Sequence, residues 1–328
     1  MLDLTQLPAA FLLPFRAIFG WGSPYGLPSL FGAFLFMLGF YLIRRHSRPL
    51  GVVDYFQTMF PRRVMLSDST KLDMRLWVVN GLVLSVVYGA VSIGGASCRD
   101  LTLGLLTKAL GASTPLSWPW PVVMLLTTLV LLLAYEFAYW FGHFLFHRYA
   151  FLWEFHKVHH SAETMTIFTE LRQHPVEILA FINVIALFTG ITLGVLTYAF
   201  GPGAQPFTLL NGNLLLMAFL LTWGHLRHSH IWIAYRGLAG RLFQSPAHHQ
   251  LHHSDNPAHW DKNLGFSLAV WDWLFGTLYV PAYKREDITF GVGEESREFR
   301  SIADSFITPF VKSWRHVAPK AHPKPKQA

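Results

Sequence analysis

Long apolar runs separated by short basic stretches dominate the chain. The first, Leu27 to Ile43, ends in Arg44, Arg45, His46 and Arg48; it is short but adequate for a hydrocarbon layer about 30 Å thick. A polar linker carrying Arg62, Arg63, Lys71 and Arg75 leads to a second run, Leu76 to about Gly95. A loop of roughly two dozen residues, closing in the SWPWP turn around Trp118, is expected before the third run, Val122 to about Gly142. Two more runs, Val176 to Phe200 and Phe207 to Gly224, are joined by GPGAQP, and Gly and Pro at such a junction predict a turn between antiparallel helices. Residues 1–26, broken by Pro8, Pro14 and Pro24, read as an interfacial segment. The stretch from Asn263 to Pro281, interrupted by Asp272 and Gly276, reads as a buried or interfacial helix rather than a sixth span. The pattern predicts an all-α integral membrane bundle of about five transmembrane helices.

Composition agrees. Of 328 residues, 52% are hydrophobic and only 14% charged, against about 25% charged in soluble domains. Basic residues orient the bundle: 23 of the 26 Lys and Arg fall on one side of the five runs, leaving Arg16, Arg99 and Lys108 on the other. By the positive-inside rule the rich side is cytoplasmic, and every histidine, from His46 onward, lies on it. The net charge of +7 is spread over loops beside apolar segments, which fits anionic lipid rather than nucleic acid. The single Cys98 excludes an intramolecular disulfide and a cysteine-based metal site. With acidic Asp3 and no basic segment before the first apolar residues, no signal peptide is expected. The basic tail KAHPKPKQA reads as disordered.

The histidines carry the chemistry. His143 and His147 stand four residues apart on a helix continuing the third run, so their rings share a face. His156 and His160 repeat that spacing with His159 between them. His249, His252 and His253 form a second HxxHH, and His225 and His228 lie three apart. So many imidazoles in a core without a metal would carry a heavy desolvation and hydrogen-bonding burden. Their number exceeds the needs of one four- to six-coordinate ion, implying a dinuclear site in a cytoplasmic, histidine-rich cap. A set so rich in neutral nitrogen favours a redox metal such as iron, while zinc or manganese stays open. His174, His230 and His248 divide between ligand support and polar packing; His46, His259, His316 and His322 read as surface residues. Glu136, Glu170 and Asp261 are candidate acceptors for imidazole N–H groups, with helix-end solvation as the bland alternative.

With these motifs assembled, the chain resembles the membrane fatty acid hydroxylase and sterol desaturase superfamily. The resemblance spans about Glu136 to Pro281. It rests on His143 and His147, LWEFHKVHHS, LRQHPVE with Arg172, His174 and Glu177, SPAHHQLHHS, and DKNLGFSLAVWDWLFGT. Phe144 stands where the family often has Arg, and Glu136 fits the acidic position seven residues before the first motif histidine. The resemblance implies a non-haem diiron enzyme that hydroxylates or desaturates a lipid, whether fatty acyl, sterol or alkyl-lipid. It would use O2 and two electrons from cytochrome b5, a ferredoxin or a reductase. It further implies two iron ions, with zinc as a possible substitute, on His143, His147, His156, His159, His160, His249, His252 and His253. His225 and His228 would be further ligands, and Glu136, Arg172 and His174 supporting catalytic residues. The expected division is an N-terminal membrane region over 1–120, a catalytic domain over 121–285 and a cytoplasmic tail over 286–328. A zinc-dependent membrane hydrolase is the main alternative. A metal transporter fits less well, because the interiors of the second, fourth and fifth runs hold no acidic residue or histidine.

Overall fold

The computed structural model describes residues 27–44, 51–83 and 85–318; the expected interfacial segment 1–26, His46 and the end of the tail lie outside the described residues. Two of the described helices are long and apolar enough to cross a membrane: α7 and α9 below. In chain order the helices are α1 (Leu27–Arg44), α2 (Val52–Met59), α3 (Arg62–Met65), α4 (Asp68–Val78), α5 (Ser85–Val91), α6 (Gly95–Leu110), α7 (Trp120–Arg148), α8 (Ala150–His160), α9 (Pro175–Phe200), α10 (Leu214–Leu220), α11 (Gly237–Leu242), α12 (Pro246–His252), α13 (Val270–Phe275) and α14 (Ile302–Val317).

Three departures from the expected bundle have local causes. Over the second run α4 passes through a π-helical turn, Val79–Val83, and α5 follows, with residue 84 outside the described residues. Asn80 in that turn donates to the carbonyls of Leu171 at 3.0 Å and Gln173 at 2.8 Å, and accepts from Tyr88. A polar side chain inside an apolar run thus ties the helix to the loop before α9. The expected loop after it is α6, which lies against α9. A Cβ on Gly190 would meet Cys98 Cβ at 2.5 Å, and one on Gly194 would meet Thr102 Cβ at 2.6 Å. The two glycines four apart on α9 let the backbones approach as small residues do between membrane helices. The order of α6 comes from this partner and not from any apolar stripe of its own.

The fifth run is not one continuous helix. Its first half is a two-residue hairpin, Thr208–Leu209 (β1) paired with Gly212–Asn213 (β2), turning through Leu210 and Asn211 at φ of 51° and 66°. Positive φ at both central residues is what a two-residue hairpin turn demands. The hairpin hangs on Thr128 of α7, which accepts from Phe207 N and, through its carbonyl, from Asn213 Nδ2, each at 2.8 Å. The chain therefore turns back beside the third turn of α7, and the seven-residue α10, capped by Asn213, suffices to bring it to His225.

At the other end of α7 a single extended residue, Tyr149 at φ −109° and ψ 118°, ends one helix and starts the next. The corner folds α8 back so that its histidines face those of α7. α14 clamps the outer side of α8: Leu72, Leu76, Val158 and Phe299 form a core onto which Ile302 and Phe306 pack. Residues 263–281, expected as one helix, hold only the six-residue α13.

Candidate metal centre

Nine histidines converge in two buried groups. His143, His147, His156, His160 and His252 form one; His159, His228, His249 and His253 form the other; within each, the ligand atoms all lie within 4.8 Å of one another. The two HxxHH motifs exchange members. α8 sends its i,i+4 pair, His156 and His160, to the first group and His159 to the second. α12 and the residue after it send His249 and His253 to the second group and His252 to the first. On a helix the residue between an i,i+4 pair points about 100° away, so each motif serves both groups. The groups touch: the rings of His160 and His253 stack at 4.5 Å.

The hydrogen bonds outside the rings decide which nitrogen faces inward. Three come from one four-residue segment. Asp261 Oδ1 accepts from His147 Nδ1 at 3.0 Å, the Lys262 carbonyl from His252 Nδ1 at 2.8 Å and the Leu264 carbonyl from His143 Nδ1 at 2.8 Å. A carbonyl oxygen only accepts, so His143 and His252 carry their proton on Nδ1 and point the Nε2 lone pair into the group. Glu177 Oε1 lies 2.8 Å from His156 Nδ1, and Glu170 Oε2 lies 2.7 Å from His228 Nδ1. Carboxylates and carbonyls behind imidazoles are the arrangement that orients metal-bound histidines.

Inside, the Nε2 atoms crowd. His143 and His156 are 3.0 Å apart, His156 and His160 3.1 Å, His228 and His249 2.8 Å, and His159 and His228 3.1 Å. Lone pairs packed so closely repel in a buried space, and a cation among them turns repulsion into coordination; all-imidazole sets suit iron, zinc or copper. Burial, reinforced by neighbouring imidazoles, holds His156, His160, His249, His252 and His253 well below the ordinary histidine range. Burial does the same for His159, against the pull of Glu170 and the Arg172 carbonyl. These rings are neutral, as ligands must be. For Glu170 burial pushes the carboxyl up, but Arg227 and His228 together outweigh it and hold the group ionised.

The segment delivering the three acceptors is itself braced. Asp261 and Asn263 both sit at φ 58°. Asn263 is locked there by bonds to the His248 carbonyl, Tyr279 N and the Thr277 carbonyl. Asp272 of α13 accepts five hydrogen bonds: Leu264 N at 2.8 Å, Gly265 N at 2.9 Å, Gln244 Nε2 at 2.7 Å, Thr277 Oγ1 at 2.6 Å and Trp140 Nε1 at 3.2 Å. These ties replace the helix expected over 263–281. They run from Trp140 of the long apolar helix α7, through Asp272 and Leu264, to His143.

Four expected site residues lie elsewhere. His225 is outside both groups: its Nε2 stands 2.8 Å from Ser29 Oγ of α1, which donates to the Leu220 carbonyl. His174 caps α9, accepting from Val176 N at 3.0 Å while Nε2 donates to the Phe306 carbonyl; burial lowers it to about 4. Arg172 is a buried brace, paired with Asp73 at 2.8 Å and donating to Ser161 and the Val158 carbonyl. Glu136 does not orient an imidazole; its carboxylate is held by the Ser267 hydroxyl and the backbone N–H groups of Ser267 and Leu268. The side chains of all four bond to elements around the groups. His259, expected at the surface, is buried. Sequence reasoning did not foresee the roles of Glu177, Lys262 and Leu264; the two carbonyls leave no side-chain signal, whereas Glu177 stood in a motif already quoted.

A cavity of about 580 Å³ opens onto the first group, where His147, His160 and His252 share its wall with Arg148, Trp153 and Trp260.

Fold and site together define a class: helical proteins whose buried histidine groups at the end of an apolar helix could each hold a metal ion. Residues 128–277 match the sequence model of the fatty acid hydroxylase family. It is 28% identical over 167 residues to alkylglycerol monooxygenase of Caenorhabditis elegans, covering 51% of this chain and 30% of that protein. It is 27% identical over 177 residues to the Homo sapiens alkylglycerol monooxygenase, covering 53% and 35%. To ornithine lipid hydroxylase OlsE of Rhizobium tropici it is 29% identical over 211 residues, covering 57% and 59%. The chain thus spans between 30% and 59% of the length of these relatives. No solved structure matches it.

Proposed function

We propose that this protein is a membrane oxygenase that hydroxylates or desaturates a C–H bond of a lipid, using O2 and two electrons from a redox partner. The carrying observation is the pair of touching, all-nitrogen histidine groups with carboxylates behind them and a cavity along one. The residues present fit two metal ions. The first would rest on His143, His147, His156, His160 and His252, and the second on His159, His228, His249 and His253. Iron bound there would supply the oxidising power that an unactivated C–H bond requires. The chain's own residues do the rest. Asp261, Glu177, Glu170 and the carbonyls of Lys262 and Leu264 hold the rings in orientation. Trp153 and Trp260 offer apolar wall to a lipid, and Arg148 offers charge to its polar end. The distribution of Lys and Arg supports a multi-pass chain with this site on the cytoplasmic face, the expected fifth span being replaced by the hairpin and α10.

The test is metal analysis of anaerobically purified protein, paired with lipid profiling of cells with and without the gene under air and under nitrogen. Two irons per chain and a lipid product that gains oxygen or unsaturation only under air are expected. Zinc with a hydrolytic product formed equally under nitrogen would overturn the reading in favour of a hydrolase.

A further inference from the structure

Helix α14 has two apolar faces, and only one is used. Its inner side, Ile302, Phe306 and the buried Pro309 and Ser313, packs on α8 and its neighbours. Ile307, Phe310, Val311, Trp314 and Val317 are exposed, Ile307 by 61% and Trp314 by 67%. At 100° per residue these five, with Ala303, fall in one arc of roughly 120°. Asp304 and Arg315 both lie just beyond one edge of the arc. A soluble surface seldom leaves so many large apolar residues contiguous.

The position of the helix says what covers this stripe. α14 passes the first residue of α9, one of the two helices long enough to span: the His174 ring, which caps α9, packs at 5.9 Å from Phe306 and 5.0 Å from Phe310. Tyr149 and Phe151, at the corner where the other long helix ends, are exposed close by in sequence to Phe155, which meets Phe310 at 5.2 Å. The stripe therefore begins at the level where the apolar surface of the spans gives way to water. Exposed Trp and Tyr at that level are typical of the bilayer interface. Charge agrees with an anionic leaflet: Arg315 flanks the stripe, and the sequence continues with Lys320, Lys324 and Lys326.

We infer that α14 lies in the plane of the membrane interface, its outer stripe in an anionic lipid leaflet; the inference rests on the reading of α7 and α9 as spans. α14 is also tied to the cavity. Lys312 bonds Glu295 at 2.9 Å, Glu295 bonds Lys157 at 2.8 Å, and both Glu295 and Lys157 line the cavity beside His147 and His160. A helix fixed in the leaflet thereby sets the position of this cavity wall relative to the bilayer.

The test uses the full chain in phosphatidylcholine–phosphatidylglycerol nanodiscs, with Cys98→Ser as background. A polarity-sensitive fluorophore is placed at Ile307→Cys, Trp314→Cys, Leu187→Cys on the exposed face of α9, or Glu294→Cys on the aqueous side. Labels at 307 and 314 are expected to be quenched several-fold more by a nitroxide near the lipid headgroup than by aqueous iodide, with the reverse at 294. Iodide quenching at 307 and 314 equal to that at 294 overturns the inference, provided 187 is quenched by a nitroxide deep in the acyl chain. If 187 fails that control, the spanning reading itself is wrong. Labels at 307 and 314 shielded from both quenchers mean that protein, such as a second copy, covers the stripe, and the inference is again overturned.

Discussion

Replacing Asp272 by Asn isolates the brace behind the first histidine group. The two side chains have nearly the same shape, but Asn turns one acceptor oxygen into a donor. If the amide nitrogen takes the place of Oδ2, it faces Gly265 N–H and Gln244 Nε2. Gln244 can respond, since its Oε1 has no partner and a flip of the amide would present that oxygen to the new donor. Gly265 N–H cannot flip and is left buried and unpaired, at about 1–3 kcal/mol. The remaining bonds to Leu264 N, Thr277 and Trp140 lose the help of a full charge, and charge-assisted bonds are roughly twice as strong as neutral ones. The opposite placement leaves the N–H of Leu264, the residue that holds His143, buried and unpaired, while the Thr277 hydroxyl can turn to accept from the amide. The expected stability loss is thus about 2–4 kcal/mol. Because Leu264 carries the carbonyl that holds His143, metal affinity should fall about 10- to 100-fold, the usual effect of removing an outer partner. Thermal unfolding of the detergent-purified protein, with and without metal, gives the first quantity, and competition with a cobalt-chelating dye gives the second. Wild-type affinity in an Asp272→Asn variant that is measurably destabilised would refute the link from Asp272 to the metal centre, leaving only a structural role.

Three further outcomes follow from the geometry. Glu170→Gln leaves Arg227, 1% exposed, without its carboxylate, and breaking such a buried pair should cost about 3 kcal/mol and loosen the second metal first; a midpoint within a degree of wild type contradicts this. Gly190→Ala forces a methyl against Cys98 and should destabilise by about 1–3 kcal/mol in unfolding experiments, whereas Gly104→Ala on α6, with nothing within 4 Å, should be neutral or slightly stabilising. For pH, the buried histidines have folded values well below 6.5, so below about pH 6.5 the unfolded chain binds protons that the folded chain refuses. The metal-free protein should therefore lose stability as pH falls through that value and be flat above it; a midpoint that rises on acidification from pH 7 to 5 would refute the sign.

By itself the sequence determined the class of the protein and most of its chemistry. Apolar run length identified α7 and α9, because a helix must satisfy its own backbone in lipid and therefore needs a long uninterrupted run. Helical spacing identified the histidine sets, because residues four apart must share a face. Which histidine belongs to which group was not legible: HxxHH serves two sites, and only the corner at Tyr149 and the return through α10 decide how its members divide. The same holds for His225, whose sequence context looks like that of His228 but which folding places against Ser29. The Phe207–Gly224 run has the length and hydropathy of a span, but Leu210 and Asn211 in the left-handed region, with Phe207 and Asn213 held by Thr128 from another helix, make its first half a hairpin. The order of α6 likewise came from two glycines ninety residues away. Asp272 looked like an interruption in an apolar helix; only with Leu264, Gly265, Gln244, Thr277 and Trp140 around it does the carboxylate become the reason that helix does not form. Periodicity records which face of an element is buried, whereas these outcomes depend on partners distant in sequence and on backbone atoms that every residue possesses, and such partners exist only once the chain has folded.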